Sequence, residues 1–207
     1  MSTAGHLEAE ALNPSVPFAF TEGNERKIAE ILTRYPSSQS AVLPVLWIAQ
    51  QQVLADPSRP RQLTTDVIRA VAAACDLKPA YVWGVATFYT MYHTKPVGER
   101  LIEVCTSVAC ALVGGEELYE HVCHRLDLDP ATGGTTADGN FTVRRAECLG
   151  ACGYAPMLQL DEGPFFEHLT PERADELLAE WKRELAARAG AKPATGTSGS
   201  VKEGRPQ

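Results

Sequence analysis

The sequence predicts an α+β fold in which a helical N-terminal half precedes a small sheet with helices beside it. Apolar residues recur at helical spacing up to about residue 93. After the turn-forming residues 96–98, short apolar runs and helical patterns follow in the order β-α-β-β-α. A chain of 207 residues is long enough to form a substantial hydrophobic core.

Three helices are predicted before residue 76. The first has an apolar face that ends at Tyr35, since Pro36 disfavours helical geometry in the residue before it. The second tolerates Pro44 because this residue falls in its first turn. Thr64 or Thr65 caps the third. The apolar stripes of the three helices are Ile28, Ile31, Leu32 and Tyr35; Leu43, Leu46 and Trp47; and Ile68, Val71, Ala72 and Cys75.

A fourth helix, rich in aromatic residues, is predicted from Tyr81 to Tyr92, with a break or bend at Gly84. Its aromatic residues are expected to lie mainly in the core rather than at an interface.

The second half alternates strands and helices. Thr170 is a good N-cap for the last helix, with Pro171 at its first position. The predicted elements are strands at Leu101–Cys105, from Phe141 to Cys148, at Met157–Leu160 and at Phe165–His168, and helices at about Glu116–Leu126 and Pro171–Ala187.

These patterns divide the chain into four segments. We expect a flexible arm over residues 1–20, a helical bundle over 21–95, an α/β domain over 96–187 and a disordered tail over 188–207.

The formal net charge of −7 argues against nucleic acid as a partner, because phosphate binding needs a basic face. No apolar run approaches the roughly 20 residues needed to span a bilayer, so direct membrane insertion is not expected. The N-terminus has no basic segment followed by an apolar one, as a secretory signal would. A cytoplasmic location is therefore expected, where paired cysteines are more often metal ligands or catalytic groups than disulfides.

Four cysteines form two close pairs, which are C-x4-C at Cys105 and Cys110 and C-x3-C at Cys148 and Cys152. Both pairs follow predicted strands. Two neighbouring strands that end at the same edge would bring the four thiols together, and glycines in the second loop offer backbone N–H groups to the sulfurs. The pattern favours a low-potential 2Fe–2S cluster and therefore an electron carrier.

Structural zinc remains open on spacing alone, since it also takes four cysteines in pairs two to four residues apart. Disulfides and unpaired thiols are further alternatives. Cys75 and Cys123 fall on predicted helices and are interpreted as small buried apolar residues. No nucleotide-binding glycine motif and no nucleophile–base signature is present in the sequence.

Four stretches resemble the small 2Fe–2S subunit of bacterial NADH–quinone oxidoreductase, respiratory complex I. The resemblance covers about residues 20–187, and E-C-L-G-A-C-G-x-A-P is its most specific part. Ala109 departs from the proline that some relatives have there, which should alter loop stiffness more than ligation. The stretches are Gly84–Tyr92, Val104–Cys110, Thr135–Thr142 and Glu147–Pro156.

The resemblance implies an N-terminal helical bundle followed by a thioredoxin-like domain that holds one 2Fe–2S cluster. It implies Cys105, Cys110, Cys148 and Cys152 as the cluster ligands. The implied partner is a larger flavoprotein subunit, which binds FMN, NADH and a 4Fe–4S cluster within the NADH-oxidising module. The chain would then catalyse nothing alone, and it would lie on the cytoplasmic side of the inner membrane through the complex.

Two alternatives stay open. The small subunits of NAD-linked formate dehydrogenases and hydrogenases have the same cysteine pattern. A zinc-stabilised interaction module with no redox role is the alternative from another class.

Overall fold

The computed structural model describes residues 17–190, and most of the predicted arm (1–20) and tail (188–207) lies outside them. The described part contains a helical unit, from α1 to α4, and a sheet unit, from β1 to α7. No described helix combines the length and the apolar character that crossing a membrane would demand.

Four helices and one short 3-10 turn make up the helical unit. Thr21 begins α1, since its hydroxyl accepts a hydrogen bond from the Asn24 N–H at 3.4 Å, and Pro79 begins α4 at a position where its missing N–H costs nothing. The helices are α1 (Glu22–Thr33), α2 (Val42–Ala55), α3 (Thr65–Ala74) and α4 (Pro79–Phe88), with the 3-10 turn at Ser38–Ala41.

One hydrophobic core holds the helical unit together. Phe18, just before α1, is buried in it, and its N–H donates to Asp66 Oδ2 at 2.8 Å. The third helix contributes the apolar stripe that its sequence predicts, including Val71 and Cys75. Fully burying a large aliphatic side chain stabilises a fold by about 1.5–3 kcal/mol. The buried side chains of this core therefore stabilise the packing of the four helices.

A five-stranded sheet forms the centre of the sheet unit. Its strand order is β2-β3-β1-β4-β5, and β1 and β3 run parallel while the other pairs are antiparallel. The elements are β1 (Arg100–Cys105), α5 (Val108–Ala111), α6 (Gly115–Arg125), β2 (Gly134–Thr135), β3 (Phe141–Ala146), β4 (Leu158–Leu160), β5 (Phe165–Phe166) and α7 (Pro171–Gly190), with a 3-10 turn at Cys152–Tyr154.

Two helices pack with the sheet in a second core. Leu118 and Val122 of α6 and Leu177 and Trp181 of α7 are buried together with Val143 of β3. The parallel pairing of β1 with β3 requires a crossover, and α5 and α6 supply it.

Several element boundaries differ from the sequence-based prediction. The first helix ends at Thr33, and α4 ends at Phe88 while continuing through Gly84, so the predicted break there was wrong. A single glycine weakens a helix by only about 1 kcal/mol, and tertiary packing outweighs that. The strand predicted to reach Cys148 ends at Ala146.

The expectation that the aromatic residues of the fourth helix lie mainly in the core was also wrong. Trp83 is 43% exposed, Phe88 76% and Tyr89 40%, whereas Tyr92 is buried at 3%. Hydropathy alone does not distinguish a face that packs within the chain from one that this chain leaves uncovered.

A polar seam joins the two units. The Gln50 amide donates to the Met91 carbonyl at 2.9 Å and accepts from the His93 N–H at 2.7 Å. The His93 ring is buried, and its Nε2 lies 3.6 Å from Glu162 Oε1 in the sheet unit. Burial, reinforced by Arg144 and Arg61, lowers the pKa of His93 to about 4.

Glu162 is the acidic member of this seam. Burial raises the pKa of its carboxyl from 4.5 to about 7, and the neighbouring charges of Glu103 and Asp161 act in the same direction against Arg144. The seam therefore holds two neutral ionisable groups near pH 6, although both belong to residue types that are usually charged when exposed.

We expect Glu162→Gln to stabilise the protein at pH 8 more than at pH 5. The unfolded carboxyl ionises near 4.5 and the folded one near 7, so the wild-type chain loses stability as pH rises through that interval. Glutamine cannot ionise, and the variant should gain on the order of 2 kcal/mol at pH 8. Urea unfolding of both chains at the two pH values measures this.

His93 contributes the opposite trend, with stability lost as pH falls from 6.5 through about 4, and both chains share it. The comparison therefore isolates Glu162. An equal stability difference at pH 5 and pH 8 would contradict the prediction.

Candidate metal centre

The sheet brings the two cysteine pairs to one edge. Cys105 is the last residue of β1, and its partner across the parallel pairing is Ala146, the last residue of β3. The chain then runs from β1 to Cys110 in α5, and from β3 to Cys148 two residues beyond the strand. This is the common edge that the sequence predicts.

The first pair is buried. Cys105 and Cys110 are each 1% exposed and pack with Met157, which precedes β4. The Cys110 thiol donates a hydrogen bond to the Cys105 sulfur. A buried thiol pair in contact is a compact donor set for a thiophilic metal.

Backbone N–H groups stabilise the thiolate form of Cys105. Burial by itself raises the pKa of this thiol, but hydrogen bonds from the Ser107 and Leu149 N–H groups and from Cys110 outweigh it and leave the pKa lowered. One N–H donor comes from each cysteine loop, so both loops stabilise negative charge on the same sulfur.

Cys110 behaves in the opposite way. Burial raises the pKa of its thiol to about 11, together with the hydrogen bond to Cys105 and the charges of Cys105, Cys152 and Cys148. All four thiols therefore lie within electrostatic reach of one another. Four thiolates at this edge would repel each other, and bound metal cations would remove that repulsion.

The second pair lies at the surface. Cys148 and Cys152 are exposed, and the Gly150 N–H points to Cys148 Sγ at 3.3 Å. Gly150 has a positive φ of 76°, which a residue with a side chain rarely adopts. The loop conformation that directs this N–H toward sulfur therefore depends on glycine.

The donor set fits a cluster with two irons. Within residues 17–190, no three His, Cys, Asp or Glu side chains lie close enough together to share a single metal ion. A 2Fe–2S cluster requires two cysteine sulfurs on each iron rather than four around one ion. The buried Cys105 and Cys110 can supply two of these sulfurs and the exposed Cys148 and Cys152 the other two, with N–H donors aimed at the Cys105 and Cys148 sulfurs.

The start of α6 packs tightly against the first pair. A Cβ on Gly115 would lie 2.8 Å from the Cys105 carbonyl oxygen and 2.8 Å from the Cys110 carbonyl carbon. Only glycine allows this approach. The start of α6 therefore contacts the cysteine edge, and its positive end faces the loop.

The other two cysteines lie in separate cores. Cys75 is buried in the helical unit, and Cys123 is buried on α6 beside Tyr119. Burial raises the pKa of both thiols. This agrees with the prediction that they act as small apolar residues.

A cleft that no sequence pattern had indicated lies beside the second cysteine pair. A cavity of about 1020 Å³ lies between the two units beside the polar seam, and its lining includes Tyr89 and His93 on the helical side and Arg144, Cys148 and Glu162 on the other. The uncharged run of aromatic residues before His93 was the signal that could have indicated it. The Ser107 and Leu149 N–H donors were also missed, because nothing in their side chains marks them.

A model of the thioredoxin-like [2Fe–2S] ferredoxin family matches residues 28–182. The solved NAD⁺-reducing [NiFe]-hydrogenase in its H₂-reduced state shares the fold, with a TM-score of 0.57 and 23% identity over 68% of this chain and 22% of that one. The match confirms the α+β, thioredoxin-like fold that the resemblance implied.

Two curated relatives are more similar in sequence. The mitochondrial NADH dehydrogenase [ubiquinone] flavoprotein 2 of Dictyostelium discoideum is 35% identical over 89% of this chain and 72% of its own length. A subunit of the NADH-quinone oxidoreductase of Mycobacterium tuberculosis is 38% identical over 72% of this chain. The chain spans only 55% of the mycobacterial protein.

We expect Gly115→Ala to destabilise the protein by about 1–3 kcal/mol, because the new methyl group would collide with the backbone of both buried cysteines. Gly84→Ala is the matched control, since nothing lies within 4 Å of its Cβ position and it sits inside α4. The control should gain about 0.5–1 kcal/mol from helix propensity. Chemical denaturation followed by circular dichroism compares them, and wild-type stability of Gly115→Ala would refute the close approach.

Proposed function

The chain belongs to the thioredoxin-like [2Fe–2S] ferredoxin family, and on this premise we propose that it is the electron-transfer subunit of an NADH–quinone oxidoreductase. It holds a 2Fe–2S cluster next to the flavin of the NADH-oxidising module. The proposal agrees with the names of the relatives, which are subunits of NADH-oxidising enzymes.

The observation that supports it most directly is the parallel pairing of β1 and β3. This pairing sets Cys105 opposite Ala146 and so starts both cysteine loops from one edge. The edge belongs to a chain whose similarity to those relatives extends over 72–89% of its length. The sheet geometry, the thiols and the family membership thus all support a cluster at this edge of the sheet.

We assign the four cluster ligands to Cys105, Cys110, Cys148 and Cys152. The bound cluster would accept one electron and return it, which is the only redox chemistry the proposal needs. The protein supplies sulfur donors, and the N–H groups of Ser107, Leu149 and Gly150 offset negative charge on them. Met157 keeps water away from the buried pair.

The exposed pair gives the site its direction. Cys148 and Cys152 face the surface while Cys105 and Cys110 face the core, so an electron enters and leaves on the side of the second loop. The partner is a larger flavoprotein subunit that binds FMN, NADH and a 4Fe–4S cluster. The chain alone catalyses nothing, and in the assembled, proton-translocating enzyme it lies on the cytoplasmic side of the inner membrane.

We expect Cys→Ser at each of the four positions to abolish or greatly weaken iron binding, because a two-iron cluster loses one of its four thiolates. Cys75→Ala and Cys123→Ala should retain iron, since these thiols are buried in two other cores. Iron and acid-labile sulfide per chain measure the outcome. Loss of iron in either alanine variant would reassign the ligands.

Anaerobic reconstitution of the full chain tests the cofactor itself. A brown protein with two irons per chain and a rhombic EPR signal after dithionite reduction is the expected result. A colourless protein with one zinc per chain would replace this proposal with that of a zinc-stabilised interaction module.

A further inference from the structure

The segment from Pro79 to Thr94 contains no Asp, Glu, Lys or Arg, although charged residues are 22% of the chain. It comprises α4 and the turns that follow. Within α4, only Val82 and Ala86 are buried. A helix that is apolar on almost every side is normally covered on every side. In this chain a large part of its surface has no cover.

The uncovered residues include several large side chains. Phe88 is the most exposed, at 76%, and its ring meets that of Tyr89 edge-on with centroids 5.0 Å apart. Tyr81, Trp83 and Met91 are 40–46% exposed. We call Trp83, Phe88, Tyr89 and Met91 the aromatic surface. Aromatic residues and methionine without charges are the composition of an interface centre rather than of a solvated face.

The aromatic surface continues into the cleft between the two units. Tyr89 and Met91 line the cleft on the helical side, and Cys148 and Leu149 line it on the side of the sheet unit. A chain that packs on the aromatic surface and follows the cleft would therefore reach the loop of the exposed cysteines.

The floor of the cleft has unpaired polar groups. The described residues include four buried side-chain polar atoms without a hydrogen-bond partner, and three of them belong to residues that line this cleft: His93 Nδ1, Arg144 Nη2 and Glu162 Oε1. The His93 side chain is only 2% exposed. Buried polar groups are nearly always paired in folded proteins, so these three residues of the cleft are places where a bound chain can supply hydrogen-bond partners.

We propose that the aromatic surface and this cleft are the docking site for a peptide segment of the flavin-holding partner subunit. Apolar side chains of that segment cover Phe88, Tyr89 and Met91, and its main-chain groups, which both donate and accept, reach the polar floor. This inference rests on the proposed function, because it is the electron partner that must approach Cys148.

A second copy of this chain explains the observations less well. Besides Phe88, the most exposed large apolar residues of this chain are Val108 and Leu112, which lie in α5 and just after it. Pairing two aromatic surfaces would cover those surfaces and leave each Cys148 beside another copy rather than beside the flavin.

The test uses the tagged full-length chain in the host that produces it, purified with its assembled enzyme. Phe88→Lys would place an unpaired charge in the interface, at a residue too exposed to affect folding. Met91→Lys is the second variant. Tyr35→Lys is the matched control, because Tyr35 is 40% exposed just after α1 and is not among the residues that line the cleft.

Two quantities are measured for each variant, namely FMN and iron per tagged chain. We expect Phe88→Lys and Met91→Lys to retain two irons per tagged chain and the reduced EPR signal of the 2Fe–2S cluster, but to lose FMN, together with the iron of the partner, by about tenfold or more, as for an interface hot spot. Tyr35→Lys should retain FMN and iron at wild-type levels. Wild-type FMN recovery in both aromatic-surface variants would overturn the docking site.

Photocrosslinking identifies the occupant. Benzoylphenylalanine at position 88 should crosslink to the flavin-holding subunit and at position 35 should not. A crosslink from position 88 to another copy of this chain would overturn the proposal in favour of self-association. A wild-type chain that purifies with iron but without flavin would instead overturn the proposed function, and a wild-type chain without iron would overturn the cluster assignment.

Discussion

The parallel pairing of β1 with β3 is the constraint on which the site depends. Residues 100–105 and 141–146 match one to one, so the strands end level with each other. Strands paired in parallel need a crossover between them. The crossover here begins with the first cysteine loop and continues through α6, and the second loop begins where β3 ends. The connection from β1 to β3 thus explains why 37 residues separate the two cysteine pairs.

Packing then sets how closely the loops approach. Gly115 lets α6 begin within contact distance of the Cys105 and Cys110 backbone, and any side chain there would push the helix away. Met157 covers the same pair from the start of β4. The first loop is therefore held by the core of the sheet unit, whereas the second loop lies on the surface. A fixed pair and an accessible pair suit a site that must retain its metal and still exchange electrons.

Sequence reasoning succeeded where a residue pattern has a single physical interpretation. Thr170 followed by Pro171 predicted the start of α7, and the cysteine spacing predicted two loops that meet at one edge. It failed where short-range signals are weak. The four residues of α5 and the two of β2 are too few to show any periodicity, and they form because β1, β3 and α6 already position them.

The exposed aromatic residues mark a different limit. Trp83 and Phe88 have the same hydropathy whether they face this chain or another, so composition alone assigned them to the core. The structure separates them from Tyr92, whose hydroxyl donates to the Leu43 carbonyl at 2.7 Å and whose ring is buried. The sequence does show that residues 79–94 contain no Asp, Glu, Lys or Arg. A helix face exposed to solvent would normally carry some of these residues.

The polar seam gives that uncharged segment its position. His93 lies next to the end of the segment and is fixed by Gln50 on one side, while Glu162 approaches it from the sheet unit. The seam is too polar to be a dry core and too buried to be an ordinary surface, which is the character of a boundary between domains. Binding along such a boundary would fix the helical unit relative to the cysteine loops. The helical unit would then position the partner, while the sheet unit exchanges the electron.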